Sequence, residues 1–291
     1  MSDTSGPLLA LIAVLCATFN DAAKKQLADR TSGLVANWFS VTGGVVLGAL
    51  YFVLTGWPVV DWQVTLAWLP VCAALLIVCD LSFIASIHGN DFSLAMPFKT
   101  SNVLFAAILA WLILGETSSV IAVSGMLLVV TGGYLLLWDS KASSWWLPLR
   151  RMLAEPASRY MLISNLAYSF LCCFQKMAAP ASSPLFFLWG MVLFEFSYFS
   201  IAMARTKTSP VAVFRQNPVL CLRIPIFWAI VIGLLFHAMN VSNIAVPTSI
   251  MQLQVLLSMF LSHHIFKERD SLARLPAACL MIIGAVLAVF Y

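Results

Sequence analysis

Long apolar stretches alternate with short polar connections along almost the whole sequence. Each apolar stretch holds roughly 20 residues, the length that a helix rising 1.5 Å per residue needs to cross about 30 Å of hydrocarbon. The pattern predicts an all-α membrane protein with ten transmembrane helices. Their predicted bounds are 7–27, 33–55, 65–88, 91–114, 118–138, 157–179, 183–204, 219–242, 246–266 and 271–291.

The composition agrees with a membrane protein. Of the 291 residues, 62% are hydrophobic and only 10% are charged, against about 25% charged in soluble domains. The net charge of +4 does not indicate a nucleic-acid partner, because the basic residues lie mostly between the apolar stretches. We therefore expect a lipid bilayer and a small-molecule substrate as partners, no nucleic acid, and a monomer or homodimer.

The two halves of the chain share chemically distinctive residues at one offset. Three pairs are each separated by 152 positions: Lys24 and Lys176, Glu116 and Glu268, Gly132 and Gly284. Because five helices are an odd number, a second copy would enter the membrane in the opposite direction. The sequence predicts two inverted five-helix repeats, 1–138 and 157–291, joined by a linker at 139–156. Such repeats are typical of secondary transporters with a central binding site.

The basic residues predict an orientation. We call the side of the N-terminus side A and the opposite side, side B. Fourteen of the 16 basic residues fall on side B, counting Lys24 and Lys25, whereas side A has only Lys176 and Lys99 lies within the membrane. Cytoplasmic loops carry an excess of Lys and Arg. The prediction is a multi-pass protein of the cell (inner) membrane, with a cytoplasmic linker and both termini outside.

Four charged residues fall at one depth inside the predicted helices, Asp21, Asp80, Lys99 and Glu195, each roughly 9–13 Å from side B. A charge near the bilayer centre costs about 2.5–3.5 kcal/mol even on a lenient scale, so each needs a partner or an aqueous cavity. We predict that Lys99 points into a central cavity within reach of Asp80. Because burial disfavours a charged carboxylate, the three acids are candidates for proton coupling.

Uncharged polar residues accompany this layer at helical spacing. Asn165 and Tyr168 lie in the sixth predicted helix, Gln252 and Gln254 lie in the ninth, and Asn102 shares a face with Lys99. Such side chains face other helices or water rather than lipid. The predicted substrate-binding residues are Lys99, Asn102, Asp80, Glu195, Asn165, Tyr168, Gln252 and Gln254.

Other features have structural interpretations. Pro97 removes a backbone donor and is expected to kink the fourth helix. Glu116 and Glu268 are interpreted as caps of the helices that follow them. The adjacent His263 and His264 point in different directions on a helix, which makes a poor metal site. With no nucleophile–base motif and no phosphate-binding loop, we expect no enzyme activity, no catalytic residues, no cofactor and no metal.

Two short motifs carry a family resemblance. "LILGETSS" at 112–119 resembles the "LGE" signature of the EamA-like family of the drug/metabolite transporter superfamily, and "HIFKERDS" at 264–271 is a weaker second copy. Lys24 lies near the end of the first predicted helix, where that family often has a lysine, but the Trp-Gly that is usual there in the family is missing from this sequence. The resemblance implies two five-helix repeats and transport of small metabolites, often amino acids. Many relatives are drawn with cytoplasmic termini, whereas the charges here argue the reverse.

The sequence therefore predicts a secondary transporter, an exporter or exchanger, for a small polar metabolite such as an amino acid or similar zwitterion. Alternating access through a central cavity would move it, with Lys99 meeting the carboxylate and an acid meeting the ammonium group. One alternative is a transporter or flippase for an organic cation, a nucleotide-sugar or a lipid headgroup. Another is a non-transporting membrane assembly subunit, in which the charges form structural pairs and no cavity exists.

Overall fold

Every regular element in the described part of the chain is a helix. A computed structural model of the protein describes residues 5–116, 119–137, 146–178, 182–241, 250–268 and 273–290. The helices are α1 Ser5–Arg30, α2 Gly33–Thr55, α3 Trp62–Ile87, α4 Phe92–Ala95, α5 Asn102–Leu109, α6 Val120–Leu136, α7 Leu147–Ala154, α8 Pro156–Ala178, α9 Pro184–Arg205, α10 Pro210–Gln216, α11 Pro218–Val241, α12 Leu253–Ile265 and α13 Leu275–Phe290. A 3₁₀ segment, Met96–Ser101, joins α4 to α5, and a π segment, Ala110–Leu114, follows α5.

Six helical stretches in the described residues are long and apolar enough to cross a membrane. They are Gly6–Arg30, Gly33–Thr55, Trp62–Ile87, Phe92–Leu114, Pro184–Arg205 and Pro218–Leu235. Three shorter apolar helices, α6, α12 and α13, accompany them. The predicted all-helical membrane class is confirmed for these residues. Within the predicted linker at 139–156 the structure describes α7, and residues 138–145 lie outside the described part.

Side-chain caps and glycine turns set the helix bounds. Ser32 caps α2 by accepting the backbone N–H of Val35, and Ser119 caps α6 in the same way. These hydroxyls accept donors that a first helical turn leaves without intrahelical partners. Gly115 ends the fourth stretch with φ +69°, in the left-handed region that glycine adopts at little cost. At these positions, the polar connections predicted from the sequence coincide with residues that begin or end helices.

The helices pack in four extensive pairs. The pairs are α1 with α11, α3 with α8, α2 with α9, and α6 with α13. Each pair joins a helix from the first half of the chain to one from the second half. The two halves are therefore interleaved and share one interior.

The pair α6 and α13 crosses with its backbones in contact. A methyl carbon added at Gly284 would lie 2.5 Å from the carbonyl oxygen of Gly125, and one added at Gly125 would lie 2.5 Å from that of Gly284. A second close approach occurs at Gly132, where an added carbon would lie 2.9 Å from the carbonyl oxygen of Ala277. Small residues at membrane helix crossings permit such contact.

Candidate functional site

A cavity of about 820 Å³ lies between the helices. It begins at the level of the predicted charges and extends to Glu116, a half-exposed residue at the side-A end of the fourth stretch. Polar residues from both halves line it, among them Asn20, Asp21, Lys24, Asp80, Lys99, Asn102, Asn165, Tyr168, Gln252 and Gln254. The structure thus places seven of the eight predicted substrate-binding residues around one space. Glu195 is the exception, since it lies outside that lining.

Lys99 forms a polar cluster with groups from two other helices. Its Nζ lies 3.1 Å from Asp21 Oδ2 and 3.2 Å from Gln254 Oε1. Gln254 Nε2 in turn donates to Asp21 Oδ2 at 2.7 Å. The sequence analysis placed Lys99 within reach of Asp80, and both line the cavity, but the ion-pair partner of Lys99 is Asp21 on α1. The Lys99 side chain remains 37% exposed, so its ammonium still faces the cavity.

The non-α backbone around Pro97 positions Lys99. Residues Met96–Ser101 form a 3₁₀ segment, in which the hydrogen bonds of a regular α-helix are replaced. Asn165 on α8 donates to the carbonyl oxygen of Phe98 at 2.7 Å and to the Ser101 hydroxyl at 2.8 Å. Irregular backbone at membrane depth is tolerated where protein or a cavity satisfies it. Asn165 therefore supports the segment that presents Lys99 as well as lining the cavity.

A second charged cluster surrounds Asp80. Lys24 Nζ lies 3.9 Å from Asp80 Oδ2, and the carboxyl group of Glu195 lies near enough to both for their charges to interact. Lys24 is only 4% exposed. The ring of Phe83 lies between the clusters, its centroid 5.8 Å from Lys24 Nζ and 5.3 Å from Lys99 Nζ. An aromatic face at this distance attracts ammonium groups.

Two lysines counted as surface charges of side B are in fact buried. Lys24 belongs to the cavity. Lys25 donates at 2.6 Å to the carbonyl oxygens of Ile87, the last residue of α3, and of Asn90, which follows the helix. Lys25 thus satisfies carbonyls that a helix end leaves without partners. Sequence reasoning missed that Lys24 lines the cavity. The available signal was its spacing, because Lys24 lies one turn after Asp21 on the same face of α1.

The remaining predicted residues lie along the cavity wall. Asn102 Oδ1 accepts the Ser169 hydroxyl at 2.8 Å, which links α5 to α8. Tyr168 and Gln252 also face the cavity. Trp228 on α11 adds an aromatic wall that sequence analysis did not assign. Among the described residues, no group of three or more His, Cys, Asp or Glu is arranged to hold a metal ion.

Polar contacts join the helix ends on side B. Glu268 accepts the backbone N–H groups of Phe92 at 2.7 Å and Ser93 at 2.8 Å. Arg274 donates to the Ser93 hydroxyl at 2.7 Å and to Asp91 at 3.0 Å. The prediction that Glu268 caps the following helix is wrong, since it caps α4 in the first half of the chain. These contacts join the two halves of the chain on side B, and they would have to break for that side to open.

Side A differs from side B. Glu116 pairs with Lys176 there, and neither residue is buried. Glu116 also lines the cavity. Glu116 thus marks the side-A end of the cavity lining within the described residues.

Comparisons with known proteins agree with this architecture. Residues 4–138 match the model of the EamA-like transporter family. One solved crystal structure, described only as that of a protein, is similar over 98% of this chain and 95% of its own, with a TM-score of 0.59 and 15% identity. At that identity the likeness shows the fold alone. None of the curated proteins compared with the chain matches it. Residues 4–138, just under half of the chain, are therefore similar to the EamA-like transporter family.

Proposed function

We propose that this protein is a secondary transporter of a small polar zwitterion, such as an amino acid, which binds in the central cavity. The observation that carries the proposal is that, apart from Glu116 at the side-A end, two ammonium and two carboxylate groups line one cavity: Lys24, Lys99, Asp21 and Asp80. A zwitterion presents a carboxylate and an ammonium group, which match these charges. The volume of about 820 Å³ falls within the range of small-molecule sites, about 300–1,000 Å³.

The free-energy cost of burying these charges supports a role in substrate binding rather than a purely structural role. Replacing a buried ion pair by packed apolar side chains is often neutral or stabilising. Two such pairs facing a cavity are therefore poor solutions for stability alone. The assembly-subunit alternative expected structural pairs without a cavity, whereas Lys99 and Asp80 both border one.

Alternating access requires two exchangeable halves, and the packing supports an inverted repeat over 1–138 and 157–291. Shifting the contact between Gly132 and Ala277 by 152 positions gives the contact between Gly284 and Gly125, which also occurs. The pair α1 with α11 likewise corresponds to α8 with α3. We infer ten crossings related by a pseudo-twofold axis in the membrane plane.

The basic residues support an orientation with side B in the cytoplasm. Setting aside the buried Lys24 and Lys25, side B still carries twelve basic residues against Lys176 on side A. The protein is then an inner-membrane transporter with both termini outside.

Substitution of Lys99 tests the proposal. Lys99→Met should insert and fold, because Gln254 still donates to Asp21. It should lose amino-acid transport, since a hydrogen bond to a charged group contributes about 1.5–3 kcal/mol, or roughly 10- to 100-fold in affinity. Lys99→Arg should not restore transport, because a planar guanidinium does not reproduce a compact ammonium.

The measurement is uptake of a mixture of labelled amino acids into proteoliposomes, with thermal stability measured on the same samples. Lys176→Met is the matched control, because this lysine forms an exposed pair with Glu116 at side A. The control should transport like the wild type. Normal transport by Lys99→Met would show that the site is misplaced.

A further inference from the structure

Arg223 is a charged residue on the outer, membrane-facing side of the helices. It lies five residues after Pro218, the first residue of α11, and therefore about 7.5 Å further into the membrane. It follows Val219 by four positions and precedes Ile226 by three, so the three residues share one side of the helix. Val219 and Ile226 are 72% and 54% exposed. The cavity is bordered by another face of α11, which carries Trp228.

Two aromatic rings hold the Arg223 guanidinium at the groove between α1 and α11. Its Cζ lies 5.2 Å from the ring centroid of Phe19 on α1 and 5.2 Å from that of Phe227 on α11. Phe19 follows the exposed Leu15 by one turn, so it also belongs to the outer side. Within the described part of the chain, the guanidinium contacts these rings and has no hydrogen bond or ion pair. Its N–H donors therefore remain available to a ligand.

A second arginine lies at the same groove, nearer the surface of side B. Arg30 is the last residue of α1, and its Nη1 donates to Asn217 Oδ1 at 3.2 Å. Asn217 precedes Arg223 by six residues, which is about 9 Å along a helix. Arg30 is exposed. Because arginine side chains are long and flexible, both guanidinium groups can turn toward one ligand between them.

Acidic side chains do not balance these two charges. The helices α10 and α11 contain Arg215 and Arg223 but no Asp or Glu. Of the two acids in α1, Asp21 faces the cavity and Asp29 pairs with Lys25. The groove therefore carries a net positive charge near the side-B end of both helices.

We propose that Arg223 and Arg30 bind the phosphate group of an anionic phospholipid from the side-B leaflet. Guanidinium groups present paired N–H donors that match two phosphate oxygens. Basic pockets between membrane helices bind such headgroups. The acyl chains lie along the exposed apolar residues deeper in the groove, among them Leu15 and Ile226. A zwitterionic lipid fits less well, because its ammonium group meets the unbalanced positive charge.

The bound lipid links α1 to α11 from the side away from the cavity. Phe19 lies on the outer side of α1, whereas Asp21 and Lys24 of the same helix line the cavity. The lipid therefore stabilises the helix that carries both residues. The inference does not rest on the proposed function, because lipid binding is measured without a transported substrate.

Lipid binding is measured by native mass spectrometry of the purified protein in detergent. The probes are dioleoyl phosphatidylglycerol, which is anionic, and dioleoyl phosphatidylcholine, which is zwitterionic and has the same chains. The wild type should bind phosphatidylglycerol about 10-fold more tightly, and Arg223→Gln should lose that preference, because it loses hydrogen bonds to a charged group. Arg159→Gln is the matched control and should keep the preference, since Arg159 lies over a single ring, that of Tyr160 on α8.

Several results would overturn the proposal. One is equal binding of the two lipids by the wild type, which would mean that Arg223 only extends toward water. Another is an unchanged preference in Arg223→Gln. If that variant does not fold, Arg30→Gln decides, because its arginine is exposed, and a preference that persists there would also overturn the assignment. Glycerol 1-phosphate should not displace the lipid, and displacement at equal concentration would indicate a site for soluble phosphate instead.

Discussion

The cap between Glu268 and α4 gives the sharpest test of how side B stays closed. Both carboxylate oxygens of Glu268 accept backbone N–H groups, from Phe92 and Ser93. In Glu268→Gln the amide keeps one acceptor oxygen and turns an NH₂ group toward the second donor. One partly buried N–H then loses its partner, and the negative charge at the helix N-terminus disappears.

The cost follows from these two losses. An unsatisfied buried donor costs about 1–3 kcal/mol, and a charge at a helix N-terminus contributes about 0.3–1 kcal/mol. We therefore expect Glu268→Gln to weaken the closed side B by about 2 kcal/mol, which is roughly 30-fold in the closing equilibrium. The matched change Glu116→Gln removes an exposed pair, for which about 0–1 kcal/mol is expected.

The assay is the rate at which a maleimide labels a cysteine placed at Ala28. Ala28 lies two residues before the end of α1 and is fully buried, so it reacts only when side B opens. Mass spectrometry of the labelled peptide separates it from the seven native cysteines. Glu268→Gln should raise the rate by up to about 30-fold, and Glu116→Gln should not. Equal rates in all three proteins would refute the view that this cap holds side B closed.

Two further predictions concern packing and topology. Gly284→Ala should destabilise the protein by about 1–3 kcal/mol, because the added carbon meets the Gly125 carbonyl. Gly233→Ala is the control, because nothing lies within 4 Å of its added carbon. Equal melting temperatures of the two variants would contradict the close crossing. A cysteine at Ser143, in the linker, should react with an impermeant maleimide only after the membrane is breached; labelling in intact cells would reverse the proposed orientation.

The sequence predicted the helices and the polar lining well, for a physical reason. The length of an apolar stretch indicates directly whether it can form a membrane helix. The predicted bounds therefore differ by only a few residues from the ends of α2, α8 and α9. Polar residues inside such stretches are costly, and that cost pointed to Lys99 and Gln254.

The sequence did not predict which charges pair. Periodicity gives the face of a helix that is polar, but not the helix that faces it. Asp80 and Asp21 lie at similar depths, and only the packing of α1 against its neighbours decides that Asp21 meets Lys99. Lys24 was missed for a related reason. Its helix extends to Arg30, further than predicted, so a lysine assigned to the surface lies a turn and a half inside.

The crossing of α6 and α13 restricts how such a molecule can move. Where two backbones touch at Gly125 and Gly284, no side chain can pass between them, and a second contact at Gly132 prevents one helix from sliding along the other. We therefore expect α6 and α13 to move as one rigid unit. Among the described residues, Met126 and Ala288 are the positions at which these helices line the cavity. In the proposed transport cycle, we expect side B to open by movement of the other helices around this pair.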